Sequence, residues 1–98
     1  MSNTRVIFWD VDTQYDFMKA DGKLYVPDAE SIIHNLRQLT EHAHRHGVRI
    51  VASADDHVSD HRELSDAPNW VDTFPLHCER GTRGQAKIQE TALRDPLI

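Results

Sequence analysis

The chain has 98 residues, of which 39% are hydrophobic and 28% charged, with a formal net charge of −5. That composition excludes wholesale disorder. The acidic balance argues against nucleic acid or an anionic membrane surface as a partner, and no apolar run reaches the ~20 residues that span a bilayer. A single cysteine, Cys78, cannot form an internal disulfide, so a reducing cytoplasm is the expected compartment.

In chain order, "VIFWDV" (residues 6–11) is a near-continuous apolar run with β-branched and aromatic residues, and predicts a strand buried on both faces. A loop of mixed character follows, through Gly22 to Pro27. Asp28 then stands as an N-cap, with Glu30 in the first helical turn, where the helix dipole favours negative charge. Ile32, Leu36, Leu39 and Ala43 recur at helical spacing as one apolar stripe. "HAHRHG" ends the helix, placing basic side chains at its negative end and Gly47 just past it. "VRIVASA" (48–54) predicts a second strand. Strand, helix and strand in this order make a βαβ unit and hence a parallel sheet. Beyond Val58 the periodicity fades into a long segment with Pro, Gly and aromatics, expected to be an ordered loop. An apolar segment begins again in "RDPLI". No linker or repeat divides residues 1–98, which read as one domain or a portion of one.

In parallel sheets functional groups gather at the carboxyl ends of the strands. Asp10 and Asp12 end the first strand, while Asp55, Asp56 and His57 end the second, so both clusters belong on one rim. Asp55 and His57, two apart in extended chain, project to the same side and suit a divalent cation: zinc, iron or manganese. His61 and His77 are candidate further ligands. The bland reading of this Asp-x-His is a solvated loop. His42 and His46, four apart on one helix face, are explained by the helix end. Cys78 beside His77 suggests a nucleophile, but sequence neighbours point apart in extended chain, and a small half-buried cysteine is the plainer reading.

Two families open in this manner. Asp10-Val11-Asp12 resembles the first half of the haloacid-dehalogenase phosphatase motif, with Gln14 standing where that family has threonine. The second resemblance runs further. "VDTQYDFM", "LYVPDAESII", "IVASADDH" and "FPLHCERGTRG", in that order, resemble blocks of the nicotinamidase and isochorismatase-like cysteine hydrolases and span nearly the whole chain. The resemblance implies a three-layer α/β/α fold around a parallel sheet, of which this chain would be the N-terminal portion. It implies Asp12 as the triad carboxylate and Asp55, His57 and His77 as metal ligands, zinc first, with His61 matching a histidine that ligates in some members. Phe17 and Phe74 take positions whose rings flank the substrate ring, Phe74 standing where tryptophan is usual. The metal-binding members are the nicotinamidases, so the implied substrate is a small-molecule carboxamide, nicotinamide or a relative.

The family's lysine lies in a strand after the HC…GTxG block and its nucleophilic cysteine lies later still. Lys87 falls too early for the first role and Cys78 belongs to the HC block. Asp56 replaces the usual aromatic and Val58 the usual proline. Three readings follow: the N-terminal portion of a nicotinamidase-like amidase, inactive on its own; a short non-catalytic protein that keeps the metal site; or a phosphatase using Asp10 and Asp12. In the first two, the unfinished sheet leaves apolar surface exposed, so self-association is expected.

Overall fold

Two parallel strands, β1 (Ile7–Val11) and β2 (Arg49–Ser53), lie side by side in the computed structural model, which describes residues 5–97. They pair in register from Ile7 opposite Arg49 to Val11 opposite Ser53. The chain between them carries a single helical turn, α1 (Tyr15–Met18), a 3-10 turn (Ala29–Ile32) and the helix α2 (Ile33–His46). The parallel βαβ order matches the sequence pattern, and Gly47 ends α2 in the left-handed conformation (φ 68°), donating its N–H to the carbonyl of Ala43. A second 3-10 turn covers Gln89–Thr91. Among the described residues, no helix is long and apolar enough to cross a membrane. The expected "RDPLI" segment ends at Ile98, outside the described residues, and contains no strand as far as Leu97.

Three expectations are corrected. Asp28 does not cap α2: it sits in the left-handed region (φ 68°), its side chain makes no capping bond, and the 3-10 turn intervenes before the helix begins. Instead the Ser31 hydroxyl donates to the Asp28 carbonyl. Residues 15–18, expected as loop, make a helical turn because the Gln14 carbonyl accepts from the N–H groups of both Phe17 and Met18. Finally, β1 is not buried on both faces. Ile7, Trp9 and Val11 alternate outward at 57%, 68% and 62% exposure, with Phe8 and Asp10 half-covered on the other face.

The core explains that exposure. Met18, Ala29, Ile33 and Ile88 pack together with Tyr25 and Leu36 against them, so the apolar centre joins α1, the 3-10 turn, α2 and the segment at Ile88. Of the helix stripe, Ala43 is buried, Leu36 half-buried, and Ile32 and Leu39 exposed. Those two line an open groove of about 530 Å³ with Phe8, Trp9, Val11 and Ile50, running between the sheet and α2.

The long segment after Val58 is ordered by short backbone pairings. His57 pairs with Glu79, Leu64 with Phe74, and Lys87 with Gln14. The first and last tie the loop back to the segments that follow the two strands, and the second closes the loop on itself, which is how residues far apart in sequence reach one rim.

Candidate functional site

The site is assembled around the end of β2 by two side chains that anchor backbone. Gln14, fully buried, donates through Nε2 to the carbonyls of Asp55 and Gln85, both at 2.8 Å, and accepts the Asp55 N–H at 2.8 Å. The Asp55 peptide groups thereby find the partners that burial demands. Asp16, 4% exposed, accepts the N–H of Lys23 at 3.0 Å through one oxygen and that of Cys78 at 2.8 Å through the other. A β-carbon on Gly84 would overlap that carboxyl group, so this close approach requires glycine.

The Asp16 anchor and the His57–Glu79 pairing hold the "HCER" loop beside the "DDH" loop. The His57 N–H donates to the Cys78 carbonyl at 3.1 Å, and the Arg80 N–H donates back to the His57 carbonyl at 2.8 Å. Outside them Arg80 grips Asp56 through Nε and Nη2, both at 2.9 Å, which holds the Asp56 carboxyl below the usual carboxylate range. Thus Asp56, where an aromatic was expected, serves to fasten the two loops.

Within this frame Asp55, His57 and His77 converge. Asp55 Oδ2 lies 3.4 Å from His57 Nε2 and 3.5 Å from His77 Nε2, with both rings buried and the carboxylate half-buried. The opposite nitrogens show where the ring protons sit. His77 Nδ1 is 2.7 Å from the Pro75 carbonyl, which can only accept, so Nδ1 carries the proton. His57 Nδ1 is 3.2 Å from a Glu63 carboxylate oxygen, again an acceptor. Both Nε2 lone pairs then face a carboxylate oxygen, and three acceptors meet with no proton between them. Such a set calls for a cation. Donors about 2.1 Å from a tetrahedral ion stand about 3.4 Å from one another, close to the distance of Asp55 Oδ2 from each imidazole nitrogen, and the mixture of one carboxylate with two imidazoles suits zinc or a neighbouring transition metal.

His61 does not join this group. Its Nδ1 lies 3.1 Å from His57 Nδ1, on the far side of that ring, and 3.4 Å from the Val58 N–H, which makes it an acceptor. His57, His61 and Glu63 form a second close cluster that shares His57 with the first. Glu63, absent from the sequence-based set, carried no signal there beyond being an acid near His57.

Phe17 packs its ring against His77, with centroids 5.4 Å apart, and so borders the cluster. Phe74 instead packs against Trp70 at 6.3 Å, and its N–H donates to the Glu63 carbonyl at 2.7 Å. Asp12 follows β1 in the left-handed region (φ 55°), accepting the Ser53 hydroxyl at 3.0 Å while its N–H donates to the Ser53 carbonyl. A non-glycine residue held there is a strained position of the kind that collects at functional sites. Cys78 is fully buried, and burial, helped by Asp16, Asp55 and Asp12, pushes its thiol up to about 12. It is a structural thiol. The ammonium of Lys87 is held by the Asp10 carboxylate and the Thr13 hydroxyl, so Asp10 serves to brace the loop.

Fold and site together define a parallel βαβ unit with a carboxylate–imidazole cluster at the carboxyl end of its strands. No family model and no curated protein matches the sequence. Solved structures do. The pyrazinamidase of Pyrococcus horikoshii, determined in complex with zinc, superposes with a TM-score of 0.74 at 28% identity, over 91% of this chain and 46% of that one. The yeast nicotinamidase bound to the inhibitor nicotinaldehyde matches at 0.69 and 27% identity, over 86% of this chain and 49% of that one. The pyrazinamidase/nicotinamidase of Streptococcus mutans matches at 0.69 and 28%, over 87% and 45% respectively. The fold is that of the nicotinamidase/isochorismatase-like hydrolase structures, and the chain spans about half the length of the structures it matches, aligning with their N-terminal half.

Proposed function

We propose that this chain is the metal-holding portion of a nicotinamidase-like amidase that cleaves the C–N bond of a ring carboxamide, nicotinamide or a close relative. The observation that carries the reading is the meeting of Asp55 Oδ2 with the two Nε2 lone pairs of His57 and His77. Those three residues would hold the ion, zinc first and iron or manganese as alternatives. A bound ion supplies a Lewis acid able to hold a heterocyclic nitrogen of the substrate. Phe17, tilted against His77, offers an apolar wall for the ring; Phe74 has a less direct claim, being packed on Trp70.

Asp12 is the proposed proton carrier, taking a proton from an attacking thiol and delivering it to departing ammonia. The thiol then bonds to the carbonyl carbon as ammonia leaves, and water releases the acid. Cys78 is unsuited to that attack, since its thiol stays protonated far above neutrality. Lys87 is committed to Asp10. On this reading the 98-residue chain holds the ion and binds the ring but does not turn the amide over. The phosphatase alternative needs a free Asp10 as nucleophile, and Lys87 and Thr13 occupy that carboxylate.

The test is metal content followed by ligand binding. The purified chain should take up about one equivalent of zinc, and nicotinamide should bind more tightly to the zinc-loaded than to the metal-free form. The double variant His57→Ala with His77→Ala should lose both. Undiminished zinc binding in that variant would remove the proposal, and so would ammonia release from nicotinamide by the isolated wild-type chain as regards its catalytic half.

A further inference from the structure

The two histidines of the cluster are built alike in one respect. Each presents Nε2 to Asp55 Oδ2, and each has an oxygen acceptor behind it at Nδ1. For His77 that acceptor is the Pro75 carbonyl, two residues away and fixed by the backbone. For His57 two acceptors share Nδ1: His61 Nδ1, hydrogen-bonded at 3.1 Å, and a Glu63 carboxylate oxygen 3.2 Å away. Since His61 Nδ1 lies against the Val58 N–H, it too is an acceptor. The His57 ring is therefore placed between two acceptors that ask for a proton on one particular nitrogen.

We infer that Glu63 is a positioning residue for the metal centre, which together with His61 holds His57 in the Nδ1-protonated tautomer and so keeps its Nε2 lone pair directed at the ion site. The inference rests on the metal reading above. In a histidine with no partner at Nδ1, the proton can reside on either nitrogen, and the Nε2-protonated form cannot ligate through Nε2. Carboxylates behind a ligating imidazole also raise its basicity and fix its orientation. The carboxylate is well suited to this because its side chain is half exposed while the ring is 9% exposed: the ring is immobilised by burial and the acid reaches in from the surface. Phe74 donates its N–H to the Glu63 carbonyl at 2.7 Å, and Ser65 donates to the Phe74 carbonyl at 2.9 Å, so the backbone that carries Glu63 is itself held.

A competing assignment would make Glu63 a direct ligand. The two roles respond differently to the isosteric amide. In the positioning role Glu63→Gln keeps an acceptor oxygen for Nδ1–H, whereas a glutamine is a poor substitute for a ligating carboxylate.

The experiment uses the 98-residue chain and two readouts. Long-range nitrogen–proton correlation spectra of the zinc-free protein give the His57 tautomer directly. Zinc competition against a chromogenic chelator gives the affinity. We expect the Nδ1-protonated form of His57 in wild type and in Glu63→Gln, and a shift towards the Nε2-protonated form when Glu63→Ala is combined with His61→Ala, larger than His61→Ala gives alone. Zinc affinity should fall about 10-fold or more in Glu63→Ala and stay close to wild type in Glu63→Gln. An Nε2-protonated His57 in the wild type would overturn the inference. So would equal losses of zinc affinity in the alanine and glutamine variants, the result expected of a ligand. Failure of the metal reading itself shows separately, as zinc binding indifferent to His57→Ala with His77→Ala, while the tautomer spectra still decide the role of Glu63.

Discussion

The side chain of Gln14 is bonded to both the N–H and the C=O of Asp55, each at 2.8 Å. One amide thus fixes the residue that begins the carboxylate–imidazole cluster to the segment after the other strand, and its remaining bond reaches the Gln85 carbonyl. Replacement by alanine leaves the half-buried N–H of Asp55 without this partner and frees the loop. Gln14→Ala should therefore lower stability by about 2–3 kcal/mol and weaken zinc binding, both measurable on the same protein by urea titration and chelator competition. Gln14→Glu should be no better, because a carboxylate cannot donate to the two carbonyls. A stability change within about 0.5 kcal/mol, the range of ordinary surface substitutions, would show that the amide is not the anchor described.

Asp16 is the second anchor and can be tested through its neighbours. It accepts backbone N–H groups from two separate chain segments, at Lys23 and Cys78. Asp16→Ala orphans both and should cost about 2–4 kcal/mol. Gly84→Ala reaches the same carboxyl group from outside, since the added methyl would overlap it. It should destabilise the chain comparably, and the double variant should cost less than the sum, because one carboxyl group is the common cause. Full additivity in a double-mutant cycle would separate the two effects and refute the shared anchor.

Much of this was legible in the residues, and the exceptions have physical reasons. The βαβ order followed from an apolar β-branched run, a 3.6-residue stripe and a glycine stop, which are local signals. The grouping of Asp55 with His77 needed a different kind of information. The loop between them has no periodicity, and it is brought back by the pairing of His57 with Glu79 and by the Asp16 carboxylate, neither of which leaves a local pattern. The role of Glu63 was invisible for the same reason, and the side-chain cap assigned to Asp28 failed because the backbone entered α2 through a 3-10 turn. The two-face burial of β1 was misjudged because an apolar strand advertises what it would cover, while cover depends on layers supplied by other segments.

Cys78 gives a pH prediction with a definite sign. Its thiol is raised from an ordinary 9 to about 12 by burial and by surrounding carboxylates. The native state therefore holds the proton over a range in which the unfolded chain releases it, so this group's contribution to stability is intact below about pH 9 and is lost as the pH rises towards 12. At pH 8 the native thiol should react with a disulfide reagent at least 10-fold more slowly than the urea-unfolded chain. Equal rates would mean that the thiol is neither buried nor raised, and would reopen its candidacy as a nucleophile.

The outward face of β1 yields the last prediction. Ile7, Trp9 and Val11 share it, and Val51 on β2 is 42% exposed as well. Between the sheet and α2 lies the apolar groove that Ile32 and Leu39 also line. In a parallel sheet of an α/β protein both faces are ordinarily covered, and contiguous apolar surface of this kind drives association. The 98-residue chain should thus self-associate in a concentration-dependent way and bind an apolar dye in its folded state. Trp9→Gln should reduce both without lowering stability appreciably, because that ring is 68% exposed and has little burial to lose. Sedimentation at several concentrations is the check. A chain that remains monomeric across the range, with dye binding unchanged by the substitution, would mean that this face is covered in solution by some arrangement other than the one described.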